Sequence, residues 1–165
     1  RTVDVNGDGR CALVSLSTKD KSIAISEFSD GRLSFPQSLA VEGEPLAMET
    51  VSSRADTRLL YITRLTVDGK QGYELRRMKP ADSASDRSWM ADVLGESPTL
   101  SMELPTKPTD MKALDANGDG RDDLFVFFLA KPPAIWLATE GGSYAPAAES
   151  AKGLLGNLGP VDVCS

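Results

Sequence analysis

The chain has 165 residues, and its 24 acidic side chains outnumber its 18 basic ones, which leaves a formal net charge of −6. This length suits one ordinary domain with a moderate core, and the acidic balance excludes a globally basic surface of the kind that binds nucleic acid. Histidine is absent, which removes the commonest general base and the commonest zinc ligand, and no apolar run approaches the ~18 residues of a membrane-spanning helix.

The first predicted unit begins with an acidic, glycine-rich loop, VDVNGDGR, at residues 3–10. Short apolar runs follow it, separated by turn signals: Leu13–Leu16, then SIAIS, then LSF after the turn FSDGR. Runs of this length between turn residues are typical of strands joined by hairpins and are too short for helices. Residues 36–48 are predicted to form a linking segment or outer strand that leads to the next unit.

The middle of the chain has the same layout without the acidic loop. Thr57–Leu65 is an apolar run, VDGKQG predicts a hairpin turn, and the YELRRMK that follows alternates as a half-buried strand does. Ser85–Met90 resembles the SDGRLSF of the first unit, and VSSRADTR stands where the loop would be. We therefore predict a middle unit that has no metal site.

The last unit opens with LDANGDGRDD, a close copy of the first loop. A shift of 111 residues places Asp4 on Asp115 and Leu13 on Leu124 without gaps. Self-similarity of this kind indicates repeated supersecondary units, here with a mean period of about 55 residues. We predict three repeats within a single region, at residues 1–48, 49–110 and 111–165.

The apolar runs of the last unit are Leu124–Leu129, AIWLA and YAP, with turns predicted at AKPP and EGGS. Residues 146–160 would form a further link in which a short helical turn could occur. Taken with the other two units, this pattern predicts an all-β chain with about three four-stranded antiparallel sheets.

Oxygen-bearing side chains recur at positions 1, 3, 5 and 9 of the second loop, where the residues are Asp115, Asn117, Asp119 and Asp123. Alternate residues point inward when a loop coils around a centre, and the carbonyl of Arg121 at position 7 would add another oxygen. Hard oxygen ligands without nitrogen or sulfur favour Ca²⁺ over transition metals. The second loop therefore predicts a calcium site.

The first loop predicts a weaker version of the same site. Its matching positions are Asp4, Asn6, Asp8 and the carbonyl of Arg10, but position 9 is Ala12 and lacks a carboxylate. The alternative for both loops is an Asx/Gly turn whose acidic side chains are simply solvated.

Two other calcium loops begin in the same way, but they need an acidic residue at position 12 and run into a helix. Position 12 here is Ser15 or Val126, and β-type sequence follows. The D-x-[DN]-x-D-G-x-x-D-L pattern followed by a strand resembles the FG-GAP/VCBS repeats of integrin-α-like β-propellers. The resemblance covers the whole chain in period and hairpin layout, and it is close in the two loops.

This resemblance implies blade-like sheets that are part of a β-propeller, with Ca²⁺ bound in the loop that opens some blades. Three units are too few to close a ring, because propellers typically have four to eight blades. More chain or another subunit would then complete the ring, or the three sheets would cap themselves.

The leading hypothesis is a calcium-stabilised module that binds or scaffolds a protein or a glycan. The second is a structural subunit or fragment of a larger assembly with no ligand of its own. A carboxylate-based glycan hydrolase or lyase ranks third, because no catalytic set is recognisable without histidine. We expect no nucleic-acid partner and no membrane span.

Modest-affinity calcium loops suit millimolar free calcium, which predicts an extracellular or periplasmic protein. The chain starts at Arg1 without a signal-peptide pattern, so we expect a processed chain or a piece of a longer one. Cys11 and Cys164 could pair with each other, pair with another chain, or remain buried thiols.

Two further groups of residues have a structural interpretation beside a functional one. Trp136 is expected in the core, whereas Trp89 fits the core and a stacking surface about equally. A solvated strand face is favoured over a polyanion-binding surface for the basic cluster Arg76, Arg77, Lys79 and Arg87.

Overall fold

The computed structural model describes residues 1–4, 11–53, 56–80, 89–92 and 94–147. Every regular element within these ranges is a strand, and the strands form three antiparallel sheets in sequence order. None of the described residues belongs to a helix that could cross a membrane. The prediction of an all-β chain with three antiparallel sheets is confirmed, and none of the sheets closes on itself.

Sheet 1 consists of β1 (Thr2–Asp4), β2 (Cys11–Ser17), β3 (Ser22–Ser29), β4 (Arg32–Leu33) and β5 (Gln37–Ala40). β2 lies between β1 and β3, and the other two strands share the far side of β3. β5 pairs with the first half of β3 and β4 with its end. The sheet is therefore four strands wide, as predicted.

Sheet 2 consists of β6 (Glu44–Ser53), β7 (Asp56–Val67), β8 (Lys70–Pro80), β9 (Trp89–Asp92) and β10 (Thr99–Met102). The order is β6-β7-β8, and β9 and β10 share the far side of β8, so this sheet is also four strands wide. Asp68 and Gly69 form the β7–β8 turn, with φ angles of 50° and 76°. Two positive φ angles are what a type I′ hairpin turn requires.

Sheet 3 consists of β11 (Pro108–Leu114), β12 (Asp123–Phe128), β13 (Lys131–Ala138) and β14 (Tyr144–Pro146), paired in that order. The turn predicted at AKPP is shorter than expected, because it occupies only residues 129–130. Pro132 and Pro133 lie inside β13, where its register with β12 shifts. Proline has no N–H to donate to the ladder, so within a sheet it is tolerated only where the pairing is irregular or at an edge, as it is here.

Sheet 2 packs between the other two sheets. Leu59 and Tyr61 of β7 belong to the core shared with sheet 1, whereas Leu60 and Ile62 belong to the core shared with sheet 3. Successive side chains of a strand point to opposite faces, so this run of four apolar residues covers both faces of the sheet.

The two cores differ in size. The core between sheets 2 and 3 contains Ala47, Leu60, Ile62, Leu75, Leu94, Met102, Met111, Leu124, Val126, Phe128 and Trp136. The core between sheets 1 and 2 contains Ala12, Val14, Ile23, Ile25, Leu59, Tyr61 and Met78. The expectation that Trp136 is a core residue is confirmed, since its side chain is buried against sheet 2.

The first strands of the three sheets come together at one edge of the stack. Arg1, which precedes β1, places Nη2 2.6 Å from Asp110 Oδ1 of β11 and Nε 3.4 Å from Glu49 Oε1 of β6. Lys112 of β11 lies 3.4 Å from the other oxygen of Glu49. Glu49 is buried, and these two cations balance its charge.

Candidate functional site

The second loop joins β11 to β12, and the register of this hairpin fixes its two ends. Leu114 pairs with Asp123, so residues 115–122 must close the turn. The corresponding hairpin of sheet 1 has the same register, because the pair Thr2–Leu13 matches Ala113–Leu124 under the 111-residue shift. Both acidic loops therefore span equivalent strand ends.

The second loop coils around the carboxylate of Asp115. Asp115 Oδ1 accepts hydrogen bonds from the backbone N–H of Gly118 (2.7 Å) and Asp119 (3.1 Å), and Oδ2 accepts one from Gly120 (2.8 Å). The two glycines have φ angles of 78° and 82°, which a residue with a side chain rarely adopts. These positive angles allow three successive amides to point at one side chain.

The other oxygen atoms of the loop are turned toward its own backbone and side chains. Asn117 Oδ1 accepts the N–H of Asp119 at 2.9 Å, and Asp119 Oδ1 accepts the N–H of Arg121 at 2.9 Å. Asp119 Oδ2 also receives the Asn117 amide at 3.0 Å and the Arg121 guanidinium at 2.6 Å. The guanidinium thus supplies positive charge inside the acidic loop.

Asp123 differs from the other acidic residues of the loop because it is completely buried. Its Oδ2 accepts the N–H of Ala116 at 3.1 Å, and its Oδ1 accepts the N–H of Ala138 at 2.8 Å. One carboxylate therefore ties the beginning of the loop to the end of β13. Buried polar groups of this kind are strongly stabilising only while every hydrogen bond is satisfied.

The ionisation of the loop reflects these contacts. The N–H groups of Gly120, Gly118 and Asp119 lower the pKa of Asp115, because they stabilise its charged form. Burial raises the pKa of Asp122, and the negative charges of Asp115, Asp123 and Glu49 raise it further. Asp122 is thus the carboxylate whose charge is unfavourable in the folded chain.

Replacement of Asp122 by asparagine is expected to stabilise the chain at neutral pH. A carboxyl group whose folded pKa is raised binds more protons in the folded state, so its contribution to stability falls as the pH rises from the ordinary aspartate pKa through the folded one. Urea denaturation of both proteins across this pH range would show a gap that widens with pH. Equal stability of the two proteins at neutral pH would contradict the prediction.

The predicted calcium ligands have different positions in the structure. Asp115, Asn117, Asp119 and Arg121 lie together on the coiled loop, whereas Asp123 is held beneath it by two backbone amides. No group of three or more carboxylate, imidazole or thiolate side chains has a metal-binding arrangement within the described ranges. Calcium binding therefore stays a prediction.

The first loop lies mostly outside the described residues, which include Asp4 but not Asn6, Asp8 or Arg10. Asp4 ends β1 and pairs with Cys11. Cys11 is an exposed free thiol, while Cys164 lies outside the described part of the chain.

Sequence reasoning missed the structural role of Asp123 and the burial of Glu49. From their spacing in the loop, Asp119 and Asp123 are both predicted to be metal ligands. Only the hairpin register shows that Asp123 is buried while Asp119 is exposed. Within the predicted basic cluster, Arg76 is paired with Glu42 and Glu74. These ion pairs favour the structural interpretation of that strand.

In comparisons with known proteins, no family model, no curated protein and no solved structure matches the chain.

Proposed function

We propose that the chain is a calcium-stabilised repeat module that binds a protein or glycan partner. The observation that carries this proposal is the second loop, which coils around Asp115 and continues into strand β12. EF-hand and dockerin loops continue into a helix instead. The strand therefore favours the FG-GAP/VCBS type of loop over those alternatives, although the family itself rests on the sequence resemblance alone.

The donor atoms of the loop fit a hard divalent cation. The ligands would be side-chain oxygens of Asp115, Asn117, Asp119 and Asp123 with the carbonyl of Arg121. Asp115 Oδ2, Asp119 Oδ1 and both oxygens of Asp123 each accept one of the hydrogen bonds described above, so each has a second lone pair for a cation. Bound Ca²⁺ would supply the positive charge that the Arg121 guanidinium now provides at Asp119.

Addition of Ca²⁺ is expected to raise the thermal unfolding midpoint. A ligand that binds only the folded chain contributes about 2.7 kcal/mol when its concentration is a hundred times the dissociation constant. Isothermal calorimetry should give one strong site per chain, and replacing Asp115 with asparagine should abolish the heat of that strong site and the thermal shift that it causes. The first loop should contribute a weaker site.

The matched control is Asp68→Asn, which removes the same charge from the β7–β8 turn and keeps a residue that tolerates positive φ. This variant should retain the calcium response in full. A wild-type chain with no heat of binding, and with the same midpoint in calcium and in chelator, would overturn the proposal.

A second candidate function, as a structural subunit of a larger assembly, is favoured by the surface of the outer sheets. Large apolar side chains are exposed at sheet 1: Phe28 and Leu33 in its strands, and Phe35 in the link between β4 and β5. An exposed apolar group of this kind favours a protein partner over a glycan, because burial of apolar area drives protein association.

We further propose an extracellular or periplasmic location, where calcium is plentiful.

A further inference from the structure

Sheet 1 has an outer face that packs against no other described sheet. Ala12 and Val14 of β2 are buried against sheet 2, so the alternate residue Leu13 points to the other side and is 39% exposed. On the same side, the directly paired residues Phe28 and Leu33 are 52% and 53% exposed. These three side chains form an apolar group on an otherwise small and polar face.

Sheet 3 has an outer face of the same kind on the opposite end of the stack. Leu124 and Val126 are buried against sheet 2, and the alternate residue Phe125 points away from it. Phe125 pairs directly with Ile135, and both are half-buried. Leu114, at the end of β11, is 46% exposed.

The two outer faces are not equivalent to each other. Under the 111-residue shift, Leu13 corresponds to Leu124, yet Leu13 is on the outer face of sheet 1 and Leu124 is buried against sheet 2. Val14 is buried against sheet 2, yet its counterpart Phe125 is on the outer face of sheet 3. The face that sheet 1 presents to its neighbour is therefore equivalent to the face of sheet 3 that packs against no other described sheet.

This difference means that equivalent faces of the three sheets point the same way along the stack. Sheet 1 uses one face toward the following sheet, sheet 3 uses the opposite face toward the preceding sheet, and sheet 2 uses both faces through Leu59 and Leu60. The outer face of sheet 3 is therefore equivalent to the face that packs against the next sheet in the stack. The outer face of sheet 1 is equivalent to the face that packs against the sheet before it.

We propose that the outer face of sheet 3 packs against the outer face of sheet 1 of a second copy of this chain. The contact is head-to-tail, because it joins two different surfaces. This inference rests on the second candidate function, the subunit of a larger assembly, and it identifies the partner as another copy of the chain. It does not depend on calcium binding.

Two copies joined in this way can close a ring. Two copies of the three described sheets give six sheets, which falls within the four to eight sheets of closed propeller architectures. Arg1 and Asp110 show that the first strands of sheets 1 and 3 already approach a common edge, as sheets arranged around one axis do. Closure would use both outer faces of each copy and leave no apolar end exposed.

The test is native mass spectrometry and sedimentation of the full chain across a concentration series. The expected result is a species of twice the chain mass. Phe28→Arg on sheet 1 should convert it to a monomer, and so should Ile135→Arg on sheet 3. A one-to-one mixture of these two variants should restore a dimer, since one copy retains the outer face of sheet 3 and the other retains that of sheet 1.

Val67→Arg is the matched control, because Val67 is 64% exposed in the hairpin of sheet 2, away from both outer faces. This variant should remain dimeric, and circular dichroism should show that all variants stay folded. Replacing Ile135 with leucine should keep the dimer, which separates loss of contact from loss of fold.

Three results would overturn the inference. A wild-type chain that is monomeric at every concentration would assign the outer faces to a different partner or to further sheets. A Phe28→Arg monomer with an Ile135→Arg dimer would indicate pairing of two identical faces. An open series of growing oligomers would exclude closure by two copies. Calorimetry with Ca²⁺ on the same samples tests the loop separately, so either proposal can fail alone.

Discussion

Replacement of Asp123 by alanine is expected to lower the free energy of unfolding by about 3–5 kcal/mol. The carboxylate is fully buried and accepts one backbone N–H on each oxygen, from Ala116 and Ala138. A hydrogen bond to a charged group contributes roughly 1.5–3 kcal/mol, and the alanine variant leaves both donors without an acceptor. Urea denaturation in the presence of a chelator measures this loss without any contribution from calcium.

Asparagine at the same position provides the control for side-chain size. Its amide offers one acceptor oxygen, and its NH₂ group would face one of the two backbone donors. We therefore expect Asp123→Asn to lose much of the same stability although its volume is unchanged. If either variant unfolds at the wild-type urea midpoint, the carboxylate does not hold the loop to β13 as the geometry indicates.

Replacement of Gly43 by alanine is expected to cost about 2–4 kcal/mol. Gly43 has φ +78° in the link between sheets 1 and 2, and an added Cβ would overlap Thr63 Oγ1 and lie 2.6 Å from Leu65 Cδ2 and 2.7 Å from the carbonyl oxygen of Arg64. A left-handed conformation costs a residue with a side chain about 1–2 kcal/mol, and overpacking adds about 1–3 kcal/mol. Thermal and urea denaturation would measure the combined effect.

Gly69→Ala separates the two contributions. Gly69 has almost the same φ, +76°, but nothing lies within 4 Å of an added Cβ. This control should lose only the conformational cost of about 1–2 kcal/mol. Equal losses in the two variants would mean that the neighbours of Gly43 move away and that the contact with Thr63 carries no energy.

Much of the fold follows from local sequence signals. The Asp-Gly pair at residues 68–69 predicts a two-residue hairpin, and the structure has that turn. The consecutive apolar residues Leu59–Ile62 indicate a strand with both faces buried, which is the position of β7. These features depend on backbone preferences and side-chain alternation, which a single sequence displays.

Other features depend on partners that are distant in the chain. Spacing alone does not show that β4 and β5 share one side of β3, because neither short strand specifies its partner. The gapless overlay of the first and last units also fails beyond β2, since Val14 pairs with Ile25 but Phe125 pairs with Ile135, one residue sooner. The β12–β13 turn is two residues shorter than the β2–β3 turn, and the register shift in the β12–β13 hairpin restores only one of these residues.

The candidate site was predictable in its position and not in its internal geometry. The D-x-N-G-D-G pattern correctly places a coiled loop before a strand, and its glycines supply the positive φ angles. Whether a carboxylate points at the loop amides, at an arginine or beneath the loop toward β13 is decided by the hairpin register and by β13. Asp115, Asp119 and Asp123 have these three different surroundings.

The burial of sheet 2 on both faces bears on where the acidic loops occur in the chain. Among the described residues of a single copy, each outer sheet packs only one face against another sheet, and these are the two units whose sequences contain the D-x-N-G-D-G loop. The middle unit gains packing on two sides, so loss of the loop pattern there removes a source of rigidity that its neighbours already provide. We therefore expect the stability of the middle unit to be most sensitive to changes of side-chain volume, and that of the terminal units to be sensitive to changes in the loop as well.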